Sequence, residues 1–296
     1  MGKLFFFFFA GFILILQGNS ATQNIKSGYA PANGLNMYYE IHSPSENEKT
    51  AVPLVLIHGG GSTIESNFGN ILPSLRRNRK VIAVELQAHG HTKDIDRPLT
   101  FEQDADDVAA LLKHLQVEKA DFFGFSNGGS TALQIGIHHP RIVNKIIAAS
   151  AIYKREGMYP WFWDLMKNAS VENMPKPLKD AYLKINPDPK ALQIMHDRDT
   201  KRMIDFKDWP PEDIKSVKSP VLILIGDKDV VRPEHALEMF RLLPDAELVI
   251  LPGGHGAYIG EITMANENSK IPEAAVLIVE EFLDKPLKEN TAHSSN

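Results

Sequence analysis

The sequence predicts an α/β domain: a mostly parallel, eight-stranded sheet covered by helices on both faces, with an antiparallel start. Three observations carry this prediction. Apolar runs of strand length alternate with helix-like segments along most of the chain, the order expected of parallel strands joined by helical crossovers. The runs are continuously apolar, as in PLVLI and PVLILI, and strands covered on both faces read that way. Near the start, Asn33-Gly34 separates two strand-like runs, and that dipeptide suits a two-residue hairpin turn.

Gly28 to Ala32 and Leu35 to Ile41 form the predicted hairpin. Pro53 to Ile57 is a strand that ends in His58-Gly59-Gly60-Gly61. Asn67 to Arg76 reads helical, and Lys80 to Leu86 is the next strand. Thr100-Phe101-Glu102-Gln103 has the spacing of a capping box and opens a helix through Leu115. Ala120 to Phe125 is a strand, Asn127 to His138 a helix stopped by Pro140, and Val143 to Ala149 another strand. The pattern resumes with a strand at Pro220 to Ile225 and a helix at Pro233 to Leu243. A strand at Glu247 to Leu251 and a helix at Pro272 to Leu283 complete it.

The chain has 296 residues, enough to bury a sizeable core. Residues 1–21 are expected to be a secretory signal peptide: Lys3, the short apolar run Phe5 to Leu16, then small residues near a cleavage site. The run is shorter than the ~20 residues of a spanning helix. A secreted or periplasmic protein is therefore expected, with no stable membrane insertion once the leader is removed. The α/β core is assigned to 22–151 and 218–290, and 291–296 to a disordered tail. Between the two halves of the core, 152–217 reads as helical and irregular and holds all three tryptophans. An insertion of this length suits a cap over a site. The alternative is an extra helical layer whose aromatics only pack. The net charge of −5 offers no basic surface for nucleic acid. With no cysteine, thiol nucleophiles, disulfides and cysteine-ligated zinc are excluded.

The chemistry concentrates at DFFGFSNGGST, 121–131. Gly124-Phe125-Ser126-Asn127-Gly128 fits G-x-S-x-G at a strand-to-helix junction. Such a turn strains the serine and demands small neighbours two residues either side, while lifting its hydroxyl above a helix N-terminus. A serine hydroxyl needs a base, and the base needs an orienting acid. His235 falls inside a helix pattern and His293 in the polar tail. His255, in the glycine-rich loop LPGGHGAY, is the candidate base. Asp227 and Asp229 both follow the strand in VLILIGDKDVVRP. Asp229 stands clear of it and suits the acid, whereas Asp227 suits a turn that bonds its own backbone. Oxyanion donors are expected from the backbone N–H groups of Asn127 and Gly60, with Gly61 as alternate, since the glycine loop permits close approach. Phe125, Trp161 and Trp163 are candidate pocket residues.

With these four features in order, the chain resembles the α/β-hydrolase superfamily. His58-Gly59-Gly60-Gly61 resembles its oxyanion loop, GDKDVVRPEHA its acid loop and GGHG its histidine loop. In the acid loop the later aspartate is the catalytic one, which favours Asp229. ELQAHGHT resembles the loop written D-x-x-G-H-G-x-S, although Glu85 replaces the acid and Ala88 a glycine. The resemblance is to capped serine hydrolases: small esterases, lactonases and carbon–carbon bond hydrolases. It implies cleavage of a carboxylic ester or similar acyl bond of a small molecule through an acyl-enzyme, without cofactor or metal. Alternatives are lactone or carbon–carbon hydrolysis, a cofactor-free haloperoxidase-like activity, and a ligand receptor that keeps a slow triad. His89-Gly90-His91 lacks the continuation of an H-x-H-x-D-H metal motif. His138-His139 suit a helix C-terminus.

Overall fold

The computed structural model describes residues 25–44 and 52–287. The expected leader and tail, and most of the 43–50 loop, lie outside the described residues. Among the described residues no helix is long and apolar enough to cross a membrane.

Eight strands form one sheet: β1 (Ile25–Ala32), β2 (Leu35–His42), β3 (Leu54–Ile57), β4 (Val81–Val84), β5 (Ala120–Phe125), β6 (Val143–Ala149), β7 (Val221–Gly226) and β8 (Ala246–Leu251). Their order is β1-β2-β4-β3-β5-β6-β7-β8. The β1–β2 and β2–β4 pairs are antiparallel, and the others parallel. Asn33 and Gly34 turn the first hairpin with φ of 50° and 92°, a conformation in which both central residues are left-handed.

The continuous apolar runs divide by strand periodicity. Val55, Ile57, Phe122, Ile146, Ile223 and Ile225 face one layer. Leu54, Leu56, Phe123, Ile147, Leu222 and Leu224 face the other. On the first face lie α3 (Phe101–His114), α4 (Asn127–His138), α8 (Pro211–Ser216) and α9 (Pro233–Leu242). The second is covered by α1 (Ile64–Phe68), α2 (Leu72–Leu75) and α10 (Ile271–Asp284).

The helix expected from Asn67 to Arg76 is instead two short ones. Thr63 and Ser66 cap each other and start α1 earlier, and Pro73 sits in the first turn of α2, where its missing N–H costs nothing. The capping box at Thr100 is half made. Its hydroxyl accepts from Gln103 N at 3.1 Å, but the Gln103 amide reaches forward to Asp107.

The 152–217 segment divides. Its helices α5 (Pro160–Lys167), α6 (Lys176–Ile185) and α7 (Pro189–Asp205) contribute the residues above the carboxyl edge of the sheet. Its ends belong to the core. Ile152, Tyr153, Ile214 and Val217 are buried there, and Phe206 and Trp209 pack edge-on against Phe101. Trp209 thus packs with the core, as in the alternative of an extra helical layer.

Candidate active site

Ser126 sits between β5 and α4 with φ 55° and ψ −119°, a region that costs a non-glycine residue free energy. The turn holds because its neighbours have no Cβ. One placed on Gly124 would lie 1.9 Å from Gly128 O, and one on Gly128 2.1 Å from Ile57 O. Ser126 N donates to Ala149 O at 2.8 Å, which ties the turn to β6. As N-cap of α4, Ser126 stands where the helix presents unpaired N–H groups.

The loop after β8 brings His255 over this edge, with Gly253 and Gly256 at φ 127° and 82°. His255 Nε2 lies 3.0 Å from Ser126 Oγ, and Nδ1 lies 2.7 Å from Asp229 Oδ1. A neutral ring that donates from Nδ1 to the carboxylate keeps Nε2 as an acceptor for the serine proton. Burial disfavours the imidazolium, but the charge and hydrogen bond of Asp229 outweigh it, so His255 titrates above its ordinary value. Burial likewise disfavours the Asp229 carboxylate. His255, Ser150 and Val231 N–H outweigh that, and the carboxyl titrates below its ordinary value.

Asp229 is buried and held on both oxygens. Ser150 Oγ donates to Oδ2 at 2.6 Å, and Val231 N donates to Oδ1 at 3.1 Å. Tyr258 OH bonds Ser150 Oγ from behind. Ser150 and Tyr258 were not identified from sequence. One usable signal was the position of Ser150, at the carboxyl end of β6 on the same edge as Ser126. Asp227 does not bond its own backbone as expected. Its Oδ1 accepts from Gly253 N at 2.7 Å, so it secures the histidine loop from outside.

The N–H groups of Gly60 and Asn127 have no hydrogen-bond partner among the described residues, and both residues line the cavity that holds Ser126. Gly59 N is taken by Asn67 Oδ1. His58 is buried, and desolvation pushes its pKa down to about 3. The neutral ring accepts from Leu86 N at Nε2 and donates to Gly59 O at Nδ1, bracing the loop.

The cavity holds about 270 Å³. Its apolar wall comes from Met158, Phe162, Leu165, Met166, Met174, Leu178, Met195, Met203 and Val230. Among the described residues no lysine or arginine lines it. The three aromatic residues expected to line it do not. Trp161 is half-exposed. Trp163 donates to Arg155 O and carries the Arg155 guanidinium 3.7 Å above its ring. Phe125 packs behind His255 and Tyr258. For the two tryptophans the reason is helical phase: Phe162, Leu165 and Met166 recur at i, i+3 and i+4 and share a face of α5, which Trp161 and Trp163 flank. That spacing was readable in the sequence. Among the described residues no group of histidines and carboxylates could hold a metal ion. His91 pairs with Glu85, and His139 pairs with Asp106.

Comparison with known proteins agrees with this architecture. Residues 52–196 match the family model described as the alpha/beta hydrolase fold. Over 229 residues the chain is 28% identical to 2-hydroxy-6-oxo-6-(2'-aminophenyl)hexa-2,4-dienoic acid hydrolase of Metapseudomonas resinovorans, covering 70% of this chain and 79% of that one. It is 28% identical to serine hydrolase BPHL of Homo sapiens over 269 residues, 84% and 86% of the two chains. Among solved structures, the enol-lactonase from Burkholderia xenovorans LB400 superposes with a TM-score of 0.66 at 22% identity, covering 87% of this chain and 100% of that one. At that identity the likeness is one of fold.

Proposed function

This chain belongs to the α/β-hydrolase superfamily and is a hydrolase, and from that premise we propose that it cleaves neutral carboxylic esters through a Ser126-His255-Asp229 triad. The observation that carries the reading is the line of contacts, 3.0 Å from Ser126 Oγ to His255 Nε2 and 2.7 Å from Nδ1 to Asp229. His255 takes the hydroxyl proton as Ser126 Oγ attacks the acyl carbonyl. The Gly60 and Asn127 N–H groups hold the oxyanion, each worth ~10²–10³ in turnover. The alcohol leaves with the proton from His255, and an ester forms on Ser126. His255 then deprotonates a water that attacks this ester, and returns that proton to Ser126 as the acid departs.

A cavity wall with no lysine or arginine favours an uncharged acyl group. An acid substrate, of the kind named for the Metapseudomonas relative, would bring a carboxylate into a largely apolar wall that holds the Asp199 carboxylate and, among the described residues, no lysine or arginine. A series of nitrophenyl esters of increasing acyl length, with lactones and a dienoic acid alongside, tests the reading. We expect the highest kcat/KM on an ester of short or medium chain. A dienoic acid cleaved ten times more efficiently than every ester would replace this reading with carbon–carbon hydrolysis.

The pH profile is a second check. Only neutral His255 can accept the proton, so activity falls as pH drops through its pKa. Because Asp229 raises that pKa, the acid limb of kcat/KM is expected above the ordinary 6.5. Asp229→Asn should move the limb down and lower kcat by about 10⁴-fold. Asp227→Asn should lower it less than about tenfold, because Asp227 anchors only the backbone of the loop. The reverse order would assign the acid to Asp227.

A further inference from the structure

We infer that Asp199, on cap helix α7, is a positioning residue for the oxyanion loop: by accepting the Gly61 N–H it commits that peptide and leaves Gly60 N–H as the loop's donor. This rests on the serine-hydrolase reading above. Asp199 Oδ2 receives Gly61 N at 2.5 Å and His89 Nε2 at 2.8 Å. Its other oxygen receives the Arg202 guanidinium, which also holds Asp104 Oδ2 at 2.6 Å.

The protons are assigned by the partners. His89 Nδ1 lies 2.8 Å from Gln87 O, and a carbonyl only accepts, so Nδ1 carries a proton. The contact from Nε2 to the Asp199 carboxylate is then made by an imidazolium. Burial opposes that state, but the Asp199 charge and hydrogen bond outweigh it. With Nε2 protonated, the 3.1 Å approach of Gly61 N to that ring atom is no hydrogen bond, and Asp199 is the acceptor.

A carboxylate beside an oxyanion hole would ordinarily repel the developing charge. Here two cations are in contact with it, His89 and Arg202, so the site gains an acceptor without a net negative charge. Asp199 also bounds the space at Gly60, where a Cβ would come within 2.9 Å of Oδ2 and 2.5 Å of Asn127 Nδ2. The Gly60 Cα is therefore enclosed by the Asn127 side chain and by a carboxylate from α7. A salt bridge that merely fastened the cap would not need the Gly61 N–H.

Asp199→Ala would strand two buried cations and risks not folding. The test pair is therefore Arg202→Met, which keeps the acceptor with its His89 counterion, and Asp199→Leu/Arg202→Met, which loses it; in both, Asp104, whose pKa burial already raises to about 7, takes up a proton when Arg202 is gone. Both are checked for a cooperative thermal transition, then assayed for kcat, KM and inhibition by a boronic acid that forms a tetrahedral adduct on Ser126. We expect Arg202→Met to keep kcat within about fivefold, and the double variant to fall a further ~10- to 100-fold, the cost of ångström-scale misplacement. Boronate affinity should fall in parallel, with KM within about threefold. Equal kcat and equal boronate affinity in the two variants would overturn the inference. Amide NMR of the unaltered protein decides it independently of folding in the variants. Boronate should shift the Gly60 resonance downfield and leave Gly61 in place, and the opposite result overturns the assignment. Boronate that forms no adduct on Ser126, in a protein that also turns over no ester, overturns the serine-hydrolase reading together with this one. A normal adduct held by Gly61 overturns this one alone.

Discussion

Ser126→Ala is expected to lower kcat on the best ester by on the order of 10⁴–10⁶-fold while the protein stays folded. The change removes one oxygen and keeps the Cβ, so the strained backbone at φ 55° and the packing of α4 are unaltered. The lost oxygen is the atom 3.0 Å from His255 Nε2. Asp229 still orients the ring through Nδ1, and His255 is left with nothing to deprotonate except water. Residual activity then reflects the binding pocket and oxyanion donors alone. The measurement is steady-state turnover with a thermal melt on the same sample. A variant with a native melt that keeps a tenth of the wild-type rate would remove Ser126 from the nucleophile's role.

Gly128→Ala should cost the fold about 3 kcal/mol or more, beyond the usual penalty for overpacking a core. The added methyl would sit 2.1 Å from Ile57 O and 2.5 Å from His58 O. Both obstacles are backbone atoms at the end of β3, the buried strand beside β5, so no side-chain rotation relieves the clash. α4 would have to lift away from β3, carrying Ser126 and Asn127 away from Gly60. Urea denaturation measures the first consequence, and kcat of the surviving folded fraction the second. A wild-type midpoint would mean that the turn has more room than these distances allow.

Much of the architecture was legible because its causes are local. Asn33-Gly34 takes left-handed angles that few dipeptides accept, and every strand placed from its apolar run is present within one or two residues, apart from the longer β1 and shorter β4. The candidates Ser126, Asp229 and His255 were named from a turn motif, a strand end and a glycine loop, and the structure brings them within hydrogen-bond reach. The errors came where two patterns overlapped. Tryptophan content points at the wrong side of α5. Helical phase selects Phe162 and leaves Trp161 half-exposed.

The residues that hold the site together were a different matter. Ser150 meets Asp229 across 79 positions of chain, and Asp199 meets Gly61 across 138. The place of Ser150 after β6 marks the edge it shares with Ser126 but not its partner, and nothing in the neighbours of Asp199 announces its contact. The sequence by itself determined the strand and helix order, the turn that only Gly124 and Gly128 allow, and the candidate trio. The first two follow from backbone sterics and side-chain period, which act over a few residues; the trio follows from what a serine nucleophile needs and, for Asp229, from the resemblance of its loop. Which face of α5 lines the cavity, which carboxylate takes the Gly61 N–H, and what braces Asp229 were decided only by tertiary structure. Such contacts exist once packed layers bring distant segments together, and burial then makes each unpaired polar group costly enough to need a partner.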